Sequence, residues 1–111
     1  MKNQIEQLID ILYDPAARID ERDDAAIYLA KYPSKDVLDK LVNFASKSEE
    51  NEIILASVGE SIGEIMIVTN KFELSIIEKL VPAAKSETLG IIQGKKPEWL
   101  KEKLYLVINK K

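Results

Sequence analysis

Apolar residues recur at helical spacing along almost the whole chain, and this feature constrains the fold more than any other. The first stripe has the i, i+3, i+4, i+7 spacing of one buried helical face and comprises Ile5, Leu8, Ile9 and Leu12. No segment shows the sustained alternation of apolar and polar residues that marks a half-buried strand. The periodicity therefore predicts an all-α fold without a sheet.

Proline and capping residues predict where several helices begin and end. A second helix should start near Asp20, with Asp23 as a weak capping partner, and should stop before Pro33. Ser34 and Asn51 are residue types that cap helix N-termini, so they predict the starts of a third and a fourth helix.

The fourth helix carries the widest apolar surface. Its stripe consists of Ile54, Val58, Ile62 and Ile65, and is widened by Ile53, Leu55 and Met66. A helix that is apolar over most of its circumference is a buried helix. We therefore expect the fourth helix to lie at the centre of the fold.

Prolines also divide the C-terminal third of the chain. A fifth helix is predicted over residues 72–81, and Pro82 should kink or end it. A short apolar segment, residues 89–92, follows. Pro97 predicts the start of a last helix, in which Trp99 seals the end of the core.

The composition excludes most catalytic chemistry. The chain has 111 residues, which predicts a single domain over residues 1–111. It contains no Cys, which excludes a cysteine nucleophile and thiolate metal sites, and no His, which removes the commonest general base. Only four glycines are present, so a glycine-rich phosphate loop is not expected. We expect a binding protein rather than an enzyme, with no cofactor and no metal.

An internal repeat is visible in the sequence. Residues 37–49 resemble residues 76–87, and residues 25–30 resemble residues 58–63 more weakly, at offsets of 33 to 39 residues. Repeats of this length with two helices per unit are typical of a stacked helical solenoid, in which each unit buries its apolar face on its neighbours.

Four segments, in this order, resemble a family of small bacterial HEAT-like repeat proteins. They are residues 11–15 (ILYDP), 20–26 (DERDDAA), 59–65 (GESIGEI) and 96–100 (KPEWL). The resemblance implies an all-α fold: a short right-handed α-solenoid of HEAT-like helical hairpins with about five to seven helices. In the family pattern an aromatic residue often follows Glu-Ile, and this chain has Met66 there. No binding role is therefore carried over to that position.

The same resemblance implies a function. Members of this family are associated with immunity in contact-dependent growth inhibition and related toxin systems. The implied activity is binding and neutralisation of a cognate bacterial toxin, of the nuclease kind, by direct protein–protein contact. The alternative is a general HEAT-like adaptor or scaffold without a toxin partner, because helical repeats serve many binding roles.

The charge is unevenly distributed along the chain. Residues 1–70 hold 14 acidic and 7 basic residues, whereas residues 71–111 hold 5 acidic and 9 basic residues, so a net charge of −3 hides a balance of −7 against +4. An acidic surface attracts a basic partner and speeds association. Nuclease toxins are typically basic because they bind phosphate backbones. The alternative is a solvated helix surface.

The densest acidic cluster lies in residues 20–24. Asp20, Glu21, Asp23 and Asp24 could anchor a basic partner, or they could cap a helix and pair locally with Arg22. The segment lacks the loop glycine and distal Glu of a calcium-binding loop, so a metal is not expected there.

A second acidic pair follows in the fourth helix. Glu60 and Glu64 are spaced i, i+4, which places both carboxylates on one face. Gly59 and Gly63 interrupt the same helix, and close helix packing or a binding surface would explain them. The candidate partner-binding residues are Asp20, Glu21, Asp23, Asp24, Tyr28, Glu60 and Glu64, with Tyr28 included because it lies off the apolar stripe of its helix.

Targeting signals are not evident. The apolar residues near the N-terminus are interrupted by charged and polar residues, so neither a signal peptide nor a membrane span is predicted. We expect a complete cytoplasmic protein whose partner is another protein. The C-terminal lysines lack an arginine or a recognised nucleic-acid motif, so nucleic acid is not expected as a partner. A membrane or a small-molecule ligand is not expected either.

Overall fold

The computed structural model describes residues 2–101, and all the regular structure in this range is helical. The helices are α1 (Gln4–Tyr13), α2 (Ile19–Tyr28), a short 3₁₀ helix (Leu29–Lys31), α3 (Lys35–Ala45), α4 (Glu52–Thr69), α5 (Leu74–Lys79) and α6 (Pro82–Lys95). Residues 97–101 are also helical. The all-α prediction is confirmed, since residues 2–101 contain no strand. None of the helices in this range is both long and apolar enough to cross a membrane.

Two of the predicted helix caps are confirmed. The Ser34 side chain accepts a hydrogen bond from the backbone N–H of Val37 at the start of α3 (3.2 Å). The Asn51 side chain accepts from the N–H groups of Ile53 and Ile54 at the start of α4 (2.8 and 3.2 Å). Each cap satisfies donors that have no partner inside the helix.

The predicted cap of α2 is wrong. The helix begins at Ile19, and its N-cap residue Arg18 makes no side-chain hydrogen bond to the helix. Asp20 therefore lies within the first turn, where its carboxylate accepts from the Arg18 guanidinium (2.7 Å). A carboxylate in this turn still interacts favourably with the positive end of the helix dipole.

The predicted local pairing of Arg22 is also wrong. The Arg22 side chain is buried beneath α2, where Nε donates to the carbonyl oxygen of Leu12 (3.0 Å) and Nη2 donates to Glu50 (3.3 Å). The guanidinium also lies 5.8 Å from the centre of the Phe44 ring. Arg22 thus joins three separate parts of the chain and does not neutralise the acids around it.

Pro82 begins a helix that the sequence analysis did not predict. α5 ends at Lys79, and Pro82 is the first residue of the 14-residue helix α6. Proline suits this position because its missing N–H would have no partner there and its φ angle is already helical. The apolar segment 89–92 lies inside α6 and is not a separate element.

The prediction that the fourth helix is central is confirmed. α4 contacts α2, α3 and α6. Its buried residues are Ile54, Leu55, Val58, Gly59, Ser61, Ile62, Gly63, Ile65 and Met66. Ile53 departs from the prediction, because 62% of its surface is exposed and it does not belong to the buried stripe.

Hydrogen bonds between helices establish the register of α2, α4 and α6. Asp23 in α2 accepts from the Ser57 hydroxyl of α4, and three residues later the Ala26 carbonyl accepts from the Ser61 hydroxyl (2.6 Å). The Thr88 hydroxyl of α6 donates to the Gly59 carbonyl of α4 (2.6 Å). Residue numbers rise together along α2 and α4, so these two helices run in the same direction.

The other helices cover the inner side of these three. α1 packs on α2 and α3 packs on α4, while α3 also contacts both α1 and α5. The Tyr13 hydroxyl at the end of α1 donates to the Lys40 carbonyl of α3 (2.6 Å) and accepts from Asn43 (3.0 Å). Burial raises the pKa of Tyr13, the direction expected for a hydroxyl removed from water.

Close helix packing explains the glycines of α4. A Cβ atom at Gly59 would lie 2.7 Å from the Cα of Ala84, and one at Gly63 would lie 2.9 Å from the Cβ of Ile91. Both distances are shorter than carbon atoms tolerate. The two glycines let α6 approach α4 directly, so their role is structural.

The two internal sequence similarities differ in how they relate to the helix boundaries. Residues 25–30 and 58–63 fall in the adjacent helices α2 and α4. Residues 37–49 begin inside α3 and extend past its last residue, Ala45. The matching residues 76–87 instead include the end of α5 and the start of α6. The second similarity therefore does not share helix boundaries.

Candidate protein-binding surface

Four of the predicted site residues lie on neighbouring outer faces of α2 and α4. Asp20 and Asp24 are one turn apart on α2, and Glu60 and Glu64 are one turn apart on α4. All but Glu64 are exposed, and Glu64 is half-buried. Because the Asp23–Ser57 hydrogen bond holds the two helices side by side, the two acidic pairs lie on the outer surfaces of adjacent helices.

Exposed aliphatic residues flank these acids. Ile19 and Ile27 of α2 are 48% and 46% exposed, and Ile53 and Val68 of α4 are 62% and 65% exposed. We define the α2–α4 seam as the outer surface formed by the two acidic pairs and these aliphatic residues: Asp20, Asp24, Glu60, Glu64, Ile19, Ile27, Ile53 and Val68.

Sequence reasoning missed the aliphatic residues of the seam. The sequence pattern groups Ile53 with the residues that widen the buried stripe of α4. A usable signal was present, since Ile53 lies two helical turns before Glu60 and therefore shares its face. Isolated exposed aliphatic residues are normal on protein surfaces, but several near one another are characteristic of interaction sites.

Asp23 has a structural role, and its carboxylate is not freely available to a partner. It is half-buried, and its carboxylate accepts a hydrogen bond from the Ser57 hydroxyl across the contact between α2 and α4. A partner could engage this carboxylate fully only by disturbing the bond that sets the helix register.

Glu21 and Tyr28 lie on the side of α2 that faces away from α4. Asp23 and Ala26 mark the side of α2 that contacts α4, and Glu21 and Tyr28 are close to the opposite side of the helix. Tyr28 is half-exposed, and the Lys31 ammonium lies 5.0 Å from the centre of its ring. The two residues therefore border Asp24 on the side of α2 that is turned away from Glu60.

The negative charge of the seam is only partly neutralised. Arg18 pairs with Asp20 (2.7 Å), and the Lys95 ammonium bridges from α6 to Glu64 (3.1 Å). Within residues 2–101, neither Asp24 nor Glu60 has an ion-pair partner. Exposed ion pairs contribute little stability, so a basic partner can displace Arg18 and Lys95 at small cost.

A cleft of about 300 Å³ lies between α3, α4 and α5. Leu38, Ile65 and Ile76 contribute apolar side chains to it. The rim includes the ion pair between Lys35 and Asp39 (3.2 Å). Its charges have both signs, so the cleft lacks the single-signed potential of the seam.

Comparison with protein-family models, with curated proteins and with solved structures finds no match for this chain. Among residues 2–101, no group of three or more acidic side chains is arranged to hold a metal ion. What bears on function is therefore the geometry and charge of the seam.

Proposed function

We propose that this protein is an immunity protein that binds and neutralises a basic bacterial toxin through the α2–α4 seam. The observation that carries the proposal is the combination of exposed aliphatic residues with two carboxylates, Asp24 and Glu60, that have no ion-pair partner within residues 2–101. The proposed toxin belongs to a contact-dependent growth inhibition system and is a nuclease.

The two kinds of residue in the seam have complementary roles in this proposal. The carboxylates steer a basic protein toward the surface and set its orientation. The aliphatic residues supply affinity, since removing apolar surface from water drives most protein association. A nuclease presents basic residues where it holds the phosphate backbone, so an acidic protein bound there would exclude the substrate.

The proposed architecture is a short right-handed solenoid of HEAT-like hairpins. It is supported by the parallel, side-by-side packing of α2 and α4 and by the second set of helices that covers them. Adjacent parallel helices create the extended surface that such proteins use for binding. Neutralisation by binding requires no catalytic step, and we place it in the cytoplasm, where an imported nuclease acts.

Co-expression with the product of the neighbouring open reading frame tests this proposal. We expect the two proteins to co-purify in a fixed stoichiometry, and we expect cells that express both to survive a toxin that kills cells expressing it alone. Absence of both co-purification and protection would contradict the proposal. Co-purification with several unrelated proteins, without protection, would favour the adaptor alternative.

A further inference from the structure

The aliphatic residues of the seam are regularly spaced. Ile19 and Ile53 each lie one turn before the bonded pair Asp23 and Ser57, so they are level with one another across the seam. Ile27 lies about 12 Å further along α2, at 1.5 Å per residue. Val68 lies about 22 Å from Ile53 along α4 by the same rise. The seam therefore offers three apolar positions separated by roughly two helical turns.

Carboxylates occupy the intervals between these apolar positions. Asp24 and Glu60 follow the first position, and Glu64 lies between the second and third. A partner that contacts all three apolar positions must therefore place basic side chains between its own apolar residues. A helix repeats one face every seven to eight residues, or about 10–12 Å, which matches the observed spacing.

The seam is also prepared for docking without rearrangement. The Ser61 hydroxyl donates to the carbonyl of Ala26 in the buried contact beneath the seam, and the Asp23–Ser57 bond holds the helices one turn earlier. A surface already held in its binding geometry loses little conformational entropy on association.

We propose that the element docking on the seam is a basic amphipathic α-helix of about four turns, with aliphatic or aromatic residues every seven to eight positions and Lys or Arg between them. This inference rests on the proposed function and specifies which part of the toxin makes the contact. The helix lies along the seam, with its apolar residues against Ile19, Ile53, Ile27 and Val68 and its basic residues against Asp24 and Glu60.

A synthetic peptide provides the direct test. The probe is a fluorescently labelled peptide of about 18 residues with leucines at seven- to eight-residue intervals, lysines between them and alanine elsewhere. Fluorescence anisotropy measures its binding at about 150 mM NaCl, where distant charges are screened. We expect the patterned peptide to bind at least about fivefold more tightly than a peptide of the same composition in scrambled order, and to gain helical circular dichroism on binding.

Substitutions on the seam supply the matched comparison. The double variant Ile27→Ser/Ile53→Ser should weaken binding of the patterned peptide by about tenfold, because it removes two of the apolar contacts. Tyr28→Ser removes an exposed apolar side chain from the side of α2 that faces away from α4, outside the three apolar positions, and should change binding by less than about twofold. Both variants alter exposed residues, so both should keep the wild-type helical content.

The inference is overturned if the patterned and scrambled peptides bind alike, if neither binds, or if the isoleucine variant binds as the wild type does. A concentration-dependent dimer that the isoleucine variant abolishes would also overturn it, because the occupant would then be a second copy of this chain. Toxin that co-purifies equally with wild type and Ile27→Ser/Ile53→Ser would leave the proposed function intact while rejecting the helix. Absence of any bound toxin would instead contradict the proposed function itself.

Discussion

At the scale of single residues, Arg22 is the side chain whose contacts differ most from those that its neighbours in the sequence suggest. It is surrounded by acids in sequence, yet its guanidinium is buried against the end of α1 and near Glu50. The Leu12 carbonyl belongs to the last turn of α1, where carbonyl groups have no partner inside the helix. Arg22 supplies that partner, so one side chain closes α1 and joins it to the loop before α4.

Replacing Arg22 with alanine should destabilise the protein by about 2–3 kcal/mol, because it leaves a buried carbonyl without a donor and Glu50 without its cation. Urea denaturation followed by circular dichroism measures this change. The control is Arg18→Ala, which removes an exposed arginine and should shift stability by less than about 0.5 kcal/mol. Equal effects of the two substitutions would contradict the structural role of Arg22.

Hydrogen bonds between residues close together in the sequence can be predicted from it, whereas the partners of bonds between distant residues cannot. Ser34 and Asn51 cap helices within three residues of themselves, so residue type and position suffice to predict them. The contact between Arg22 and Glu50 spans 28 residues, and nothing in the local sequence favours Glu50 over the adjacent acids. The same limit applies to Asp23, whose partner Ser57 lies on another helix.

At the scale of helices, glycines of α4 and α6 differ in the space that their surroundings leave for a side chain. Gly59 lies against the backbone of Ala84, where a methyl group has no room. Gly90 lies within α6, and apart from its chain neighbours and its own helix backbone no heavy atom of the described residues lies within 4 Å of where its Cβ would be. The first glycine is required by packing, whereas the second makes its helix less stable without making room for any contact among the described residues.

Alanine substitutions at these two glycines should therefore have opposite effects. Gly59→Ala should destabilise the protein by about 2 kcal/mol, because α6 must move away from α4. Gly90→Ala should stabilise it by up to about 1 kcal/mol, because alanine has a higher helix propensity and its methyl group meets no side chain among residues 2–101. Thermal unfolding compares the two variants with wild type. A stabilising Gly59→Ala or a destabilising Gly90→Ala would contradict the packing described.

Helix α6 shows why element boundaries were harder to predict than element type. Its buried residues are Ala84, Thr88 and Ile92, of which only Ile92 is a large apolar residue, so its stripe is weak in the sequence. Pro82 has two meanings, the end of one helix or the start of the next, and its local sequence does not distinguish them. α4 was predictable because large aliphatic residues define its buried stripe.

At the scale of the whole molecule, part of the excess negative charge of residues 1–70 is localised on one outer surface. Asp20, Asp24 and Glu60 meet on one outer surface because α2 and α4 run side by side. The i, i+4 spacing within each helix was visible in the sequence, but the adjacency of the two helices was not. Glu21 and Tyr28 have the same local signals but lie on the side of α2 that faces away from α4, and local sequence does not distinguish the two sides.

The most direct test of binding through the seam compares two variants with identical net charge. Asp24→Lys/Glu60→Lys reverses two exposed charges of the seam, while Glu49→Lys/Glu78→Lys reverses two exposed charges elsewhere. The dissociation constant of each for the co-purifying toxin is measured by isothermal titration calorimetry. We expect the seam variant to bind at least about tenfold more weakly than wild type and the control to remain within about threefold. Equal loss in both variants, or undiminished binding by the seam variant, would contradict a binding site at the α2–α4 seam.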